Sequence, residues 1–354
     1  MDNISSFQIY FLALLFTASI STFFLLKLFR QYALKKGLLD LPNHRSSHTI
    51  PTPRGGGIIF VIVWIVCSVS LLILLPHSAF FYTDLAVLFF GAFTVAIVGY
   101  WDDLHPLTPL TRGGLHLAIS IMAVFLLGGP HQLNIGNTSL ILGMGGLVLA
   151  IFSLAWSINL YNFMDGTDGL AAVEAIFIFG AGGFLLWLDN GVFLAITSWI
   201  LVASVFGFLI WNWPKAKIFM GDGGSSFLGF VVMLTAILGE MRYGVPILLW
   251  MVLYAVFLVD ATLTLIRRIL LGEKWYQAHR SHAYQRLHQA GWSHKKILMG
   301  LILVNAFLIF LTFWTNTHRH FMLFSVFIAF LLISLLYGLI GLKKPVEHSI
   351  SQKA

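Results

Sequence analysis

Charge is scarce in this sequence: 354 residues hold only 21 lysines and arginines and 14 aspartates and glutamates. Soluble globular domains draw about a quarter of their residues from these four types. A chain that is 10% charged and 58% hydrophobic is therefore not one of them. Cysteine is nearly absent. The single Cys67 excludes an intramolecular disulfide, and its place inside an apolar run marks it as a packing residue. Also missing are a soluble domain, a low-complexity linker and any period of 20–50 residues that would indicate a repeat array. What remains is a single integral membrane domain over residues 1–354.

Apolar length is abundant instead. Runs recur at about 7–29, 58–76, 84–101, 113–128, 139–161, 169–188, 191–211, 225–240, 245–270, 297–315 and 320–341. As helix, roughly 20 apolar residues cross about 30 Å of hydrocarbon. The expected fold is all-α, a polytopic membrane protein of about 11 transmembrane helices. The first run is expected to stay as a span, because "MDNISS" carries Asp2 and no base and the stretch is too long for a signal peptide.

The formal charge of +7 invites a nucleic-acid reading, but sidedness decides otherwise. Threading the runs alternately puts every Lys and Arg except Arg242 and Arg319 on one face. The positive-inside rule makes that face cytoplasmic, with the N-terminus outside and the C-terminus in the cytoplasm. The polar residues concentrate on the same face, in loops at about 35–57, 102–112, 162–168, 212–224 and 272–296. Loops on a rigid scaffold are where chemistry is carried.

Three of these loops are acidic. "GYWDDLHP" sets Asp102 and Asp103 side by side at a span end, where repelling carboxylates call for a divalent cation or bases. "NLYNFMDGTDGLAA" places Asn162, Asp165 and Asp168 among glycines at the start of a helix, suited either to capping it or to a nucleotide and a metal. "NWPKAKIFMGDGGSSFLGF" offers Lys217 and then Asp222 among glycines, a combination suited to phosphate and Mg²⁺. Two loops are basic: "LPNHRSSHTIPTPRGGG" with His48 and Arg54, and "HRSHAYQRLHQAGWSHKK" with His279, Arg280 and His282. Both also suit anionic lipid head groups. Carboxylates of the Mg²⁺ type and bases of the diphosphate type on one membrane face fit phosphoryl transfer between a water-soluble nucleotide and a lipid, chemistry that asks chiefly for positioning and charge neutralisation.

In "SSHTIPTPRGGG", "GYWDD", "NLYNFMDGTDGLA", "FMGDGGSSFLG" and "HRSHAYQRL", taken in order, the chain resembles the polyprenyl-phosphate N-acetylhexosamine-1-phosphate transferases, a family that includes the phospho-N-acetylmuramoyl-pentapeptide transferases. The resemblance implies transfer of a sugar 1-phosphate from a UDP-N-acetyl amino sugar to undecaprenyl phosphate with release of UMP. It also implies Mg²⁺, sometimes Mn²⁺, as cofactor, the bacterial inner membrane as location and a possible homodimer. By the same resemblance, Asp102 and Asp103 match the pair near the lipid phosphate and serve acceptor orientation or proton removal, with an aspartyl intermediate as the lesser alternative. Asn162, Asp165 and Asp168 match the nucleotide-side motif, Asp222 the magnesium ligand, and His279, Arg280 and His282 the cytoplasmic histidine motif. His48, Arg54 and Lys217 are expected to bind substrate.

Muropeptide-using members carry a tight triple histidine where this chain has "HRSH", so the resemblance favours the branch that initiates O-antigen or related surface polysaccharide. The sugar stays open among GlcNAc, GalNAc, FucNAc and QuiNAc. Two other classes compete. A secondary transporter puts its charges near the bilayer midplane, whereas here only Glu174 and Asp260 fall inside spans. A non-catalytic lipid-binding scaffold would need the basic loops but not Asp222.

Overall fold

Backbone polar groups in hydrocarbon must be satisfied within the chain, so an apolar run long enough to span becomes helix. The computed structural model describes residues 2–42, 50–74, 81–274 and 279–342, with side chains from Gln8 onward apart from Leu74. His48 lies outside the described residues. Helix α1 (Asp2–Lys36) leads into a small hairpin of β1 (Leu39–Asp40) and β2 (Thr52–Pro53), then α2 (Gly57–Leu74), α3 (Tyr82–Leu104) and α4 (Pro109–Leu127). A second hairpin, β3 (Gln132–Ile135) with β4 (Thr138–Ile141), precedes α5 (Met144–Met164), α6 (Leu170–Leu188), α7 (Val192–Asn212) and α8 (Asp222–Leu238). The remainder is α9 (Ile247–Leu253), α10 (Ala255–Leu270), the short α11 (Ala283–Gln289), α12 (His294–Thr317) and α13 (Met322–Gly341).

Among the described residues every predicted run coincides with helix over most of its length. Among the described residues nine helices are long and apolar enough to cross a membrane, and α9 with α10 makes a tenth if the bent pair is one span. The shorter apolar α2 occupies the remaining run. Two expectations need correction. The run expected at 139–161 starts as the end of a hairpin, because Leu133 pairs with Leu140 and Gln132 with Ile141, and helix begins only at Met144. The run expected at 245–270 is broken by a 78° bend at Tyr254. Neither proline nor glycine causes it. The buried Tyr254 ring anchors the bend against α5, its hydroxyl 3.3 Å from Ser157 Oγ.

Helix α8 is the axis of the molecule: every residue from Gly223 to Leu238 is buried. It packs on α2, α3 and α5, while α7 binds α1, α2 and α6. Glycines permit the closest approaches. A Cβ at Gly57 would land on the backbone of Gly224, and one at Gly99 on the backbone of Asp222 and Gly223. This contact sets the first turn of α8, and with it Asp222, at the meeting point of three helices.

Candidate active site

Two loops far apart in sequence are built as one unit beneath that turn. The amide of Phe219 donates to Pro53 O (2.8 Å), and those of Gly56 and Gly57 donate to Phe219 O (2.9 Å) and Met220 O (2.8 Å). "PRGGG" is thereby zipped to "FMGDGG", and Arg54 is delivered to Asp222. The unit has no room for a side chain at Gly221, which takes φ +78° and faces the Asp103 carboxylate.

Successive residues of a helix point about 100° apart, and the adjacent carboxylates ending α3 accordingly take different partners. Asp103 Oδ1 accepts from the Asp222 amide (2.9 Å) and Oδ2 from the Gly223 amide (3.3 Å). It caps α8 from a neighbouring helix, where a carboxylate satisfies unpaired amides and meets the positive end of the dipole. Asp102 Oδ1 accepts from the Leu107 amide (2.6 Å) and Oδ2 from Arg112 (3.2 Å). Pro109 and the capping Thr108, which accepts from the Thr111 amide, start α4 so that Arg112 turns back toward α3.

Two guanidiniums bridge these carboxylates. Arg54 places Nε 2.6 Å from Asp103 and Nη2 2.8 Å from Asp222, while Arg112 Nη1 lies 3.2 Å from Asp102 and 3.5 Å from Asp222. Burial alone would lower the Arg54 pKa, but Asp222 and Asp103, with Asp40, outweigh it and raise it above that of a free arginine.

The nucleotide-side motif closes the cluster from α5. Asn162 Nδ2 donates to Ser225 Oγ (3.1 Å), which in turn donates to Gly221 O (3.1 Å). Asp165 follows the helix directly; burial first, and then the negative Asp222 and Asp103, push its carboxyl up to about 7. Asp168 turns elsewhere, its Oδ2 accepting from the Ala216 amide (3.1 Å) and lying 3.0 Å from His294 Nδ1. Lys217 also leaves the cluster, its ammonium standing over the Trp211 ring at 5.6 Å.

The histidine motif docks on the same loop. Tyr284 donates its hydroxyl to Phe163 O (3.1 Å), and its ring fills the space beside Gly166. His279 and His282 share no helix, since helix begins only at Ala283. The two rings nevertheless meet, 4.9 Å apart, because the chain folds back over Ser281, whose amide donates to His279 Nδ1 (3.4 Å). Burial, His282 and Arg268 push the His279 imidazole down to about 4. His282 is 3% exposed and lies 3.3 Å from Asp260. Arg280 is placed on this segment by its carbonyl, which accepts from Gln289 Nε2 (3.0 Å).

The residues present fit a magnesium ion. The carboxylates of Asp102, Asp103 and Asp222 pair with the guanidiniums of Arg54 and Arg112, and Asp165, which feels the negative Asp222 and Asp103, adds a fourth carboxyl group beside them. Among the described residues no three His, Cys, Asp or Glu side chains form a metal cage. Mg²⁺ needs none, since it is typically held by one or two carboxylates plus substrate phosphates.

Sequence reasoning missed Arg112, which served there only as a topological charge. Its signal was its place one short turn after a carboxylate pair.

Known proteins can be set beside this geometry. The sequence model of glycosyl transferase family 4 matches residues 85–240. The chain is similar to the decaprenyl-phosphate N-acetylglucosaminephosphotransferase of Mycobacterium leprae (strain TN), with 32% identity covering 81% of this chain and 79% of that protein. It is similar to the protein of the same name in Mycobacterium tuberculosis (strain ATCC 25618 / H37Rv), with 31% identity over 81% and 78%. With the undecaprenyl-phosphate alpha-N-acetylglucosaminyl 1-phosphate transferase of Escherichia coli (strain K12) it shares 28% identity over 87% and 85%.

Proposed function

The chain belongs to glycosyl transferase family 4, with the polyprenyl-phosphate N-acetylhexosamine-1-phosphate transferases, and from that membership we propose that it transfers N-acetylglucosamine 1-phosphate from UDP-N-acetylglucosamine to undecaprenyl phosphate, releasing UMP. The observation that carries the reading is the bridge of Arg54 and Arg112 over Asp102, Asp103 and Asp222. Such an array suits a diphosphate and an incoming phosphate, whose charges must be neutralised as they approach. The "HRSH" form of the histidine motif supports a place at the start of O-antigen or related surface polysaccharide synthesis.

In this mechanism the acceptor phosphate attacks the sugar-linked β-phosphorus, the β-phosphorus–oxygen bond to UMP breaks, and UMP departs with the electron pair. A phosphomonoester has a second pKa of about 6, so the acceptor reaches the site largely as a dianion and needs no strong base. Direct attack is favoured over an aspartyl intermediate. Each oxygen of Asp102 and Asp103 already accepts from an amide or a guanidinium, which suits orientation and not nucleophilic attack. Asp222, with Asp165 beside it, would hold Mg²⁺, whose charge neutralises the transferring diphosphate. Arg54 and Arg112 orient phosphate oxygens, Asn162 steadies the turn that carries Asp222, and His279, Arg280 and His282 meet the charge that grows on the leaving UMP. The active face is the cytoplasmic one, by the distribution of Lys and Arg.

The test is UMP release by the purified protein from UDP-N-acetylglucosamine, undecaprenyl phosphate and Mg²⁺, with UDP-N-acetylgalactosamine and the 6-deoxy UDP-sugars alongside. Release that needs the lipid and the metal is expected. No release from any UDP-sugar would overturn the reading.

A further inference from the structure

Asp260 has no part in the reaction described above, yet it is a buried carboxylate in an otherwise apolar broken span, a place where ionisable groups are costly and rarely idle. Its oxygens receive three donors. The Ala283 amide lies 3.1 and 2.9 Å from Oδ1 and Oδ2, the Thr264 hydroxyl 3.1 Å from Oδ1, and His282 Nδ1 3.3 Å from Oδ1.

An ionised carboxylate only accepts, so the tautomer that satisfies this pair carries the hydrogen on Nδ1, the ring nitrogen facing Asp260. That leaves Nε2 as the nitrogen a ligand can use. The plane of the ring is restrained as well: His282 stacks with Tyr284 (5.8 Å, 7°) and with Phe163 (6.5 Å, 29°), and Phe163 is two residues from Asp165. Asp260 thus fixes the rotation of a ring whose plane its aromatic neighbours already hold. The 78° bend at Tyr254 sets the course of α10, and Thr264 and the buried Arg268 follow Asp260 at helical spacing, so that one face of α10 braces the whole segment. Arg268 extends the brace through Glu273 (2.7 Å) and the Lys274 carbonyl (3.1 Å).

We propose that Asp260 is a positioning residue for sugar 1-phosphate transfer, orienting His282 so that Nε2 faces the phosphates of the donor. The inference rests on the catalytic reading of the histidine motif and adds to it a residue outside the motif. A carboxylate that orients an imidazole supports activity without touching substrate, and the loss of such partners of metal-bound histidines costs about 10- to 100-fold.

The experiment is a double-mutant cycle on the full chain in detergent: parent, Asp260→Asn, His282→Ala and the pair, each measured for kcat, for KM of UDP-N-acetylglucosamine and for thermal unfolding. Asp260→Asn is expected to lower kcat about 10- to 100-fold, with KM and Tm close to parent, and to cost nothing further when His282 is already alanine. The same factor lost in both backgrounds would mean that Asp260 merely holds the fold, and would overturn the proposal. If Asp260→Asn does not purify folded, the cycle is run with Asp260→Glu, which keeps the charge but displaces it. A loss that vanishes without His282 then supports the proposal, and one that persists overturns it. A His282→Ala protein as active as the parent removes the premise itself, while leaving the UDP-sugar assay to decide the overall reaction.

Discussion

Arg54 and Asp222, 168 positions apart in the chain, meet at 2.8 Å, and the same guanidinium reaches Asp103 with its Nε. One planar cation therefore ties α3 to the first turn of α8 through two differently directed nitrogens. An ammonium cannot span both acceptors in this way.

Arg54→Lys should accordingly retain the positive charge but lose the bridge. UMP release is expected to fall at least about tenfold in kcat/KM, equivalent to about 1.4 kcal/mol of transition-state stabilisation. A lysine variant working at the parent rate would reduce Arg54 to a general counter-charge.

Asp222→Asn keeps the shape of the side chain and removes the charge that a hard, oxygen-seeking cation requires. Activity should drop by orders of magnitude at every Mg²⁺ concentration, with circular dichroism showing the fold retained. Recovery at high Mg²⁺ would show that the residue tunes affinity for the ion and is not required for turnover.

Asp165 gives a prediction with a sign. Its carboxyl titrates near 7 in the folded protein against 3.8 for the free group. The folded state therefore binds more protons in that interval, and the associated stability is present below pH 3.8 and lost as pH rises through 7. Asp165→Asn should raise the Tm of the ligand-free protein by a few degrees at pH 8, the advantage shrinking toward pH 4, while abolishing transfer. A Tm difference independent of pH would show that the carboxyl is not held near neutrality.

Within the histidine motif the variants should separate. Arg280→Lys and His282→Ala are expected to lower kcat/KM about 10²-fold or more, about 2.7 kcal/mol, as for the loss of one oxyanion donor. Arg286→Ala and His288→Ala should lose far less: the Arg286 guanidinium lies over Tyr337 at 4.1 Å, and His288 Nδ1 faces Trp292 O at 3.1 Å. Equal small losses in all four would make the segment a general basic surface.

Sidedness can be read with single cysteines, because Cys67 is buried and its replacement by alanine clears the background. His105→Cys and Asn137→Cys both lie at exposed positions. An impermeant maleimide on intact cells should label the second and spare the first. Labelling of His105→Cys from outside would invert the topology and remove a cytoplasmic nucleotide from the mechanism.

Much of this was legible in the sequence because the signals were local. Hydropathy located every helix of membrane length, and flanking glycines made Asp165 and Asp222 stand out as candidates. What escaped was set by tertiary contact. Nothing in "LLWMVLYAVFLVD" marks Tyr254 as a bend, since the bend depends on packing against α5. The division of labour between Asp102 and Asp103 comes from partners on other segments. Lys217 read as a phosphate ligand from its neighbours in sequence, yet Trp211, six residues earlier, holds its ammonium. Asp260 was visible as a charge in a span, but its connection to His282 crosses a loop whose path the sequence does not specify.

The glycines that let α2, α3 and α8 close on one another divide the chain for anyone wishing to engineer it. Alanine is ordinarily the better helix former by about 1 kcal/mol, and a survey of glycines for thermostabilising replacement would normally treat all helical ones alike. Here Gly57, Gly99 and Gly224 are closed to it, since a methyl group there would press on backbone or tightly packed side chains around the turn that bears Asp222. Gly113, Gly114, Gly180, Gly300 and Gly338 have nothing within 4 Å of an added Cβ. A hardier enzyme is to be sought at those outer positions, leaving the centre of the bundle as it is.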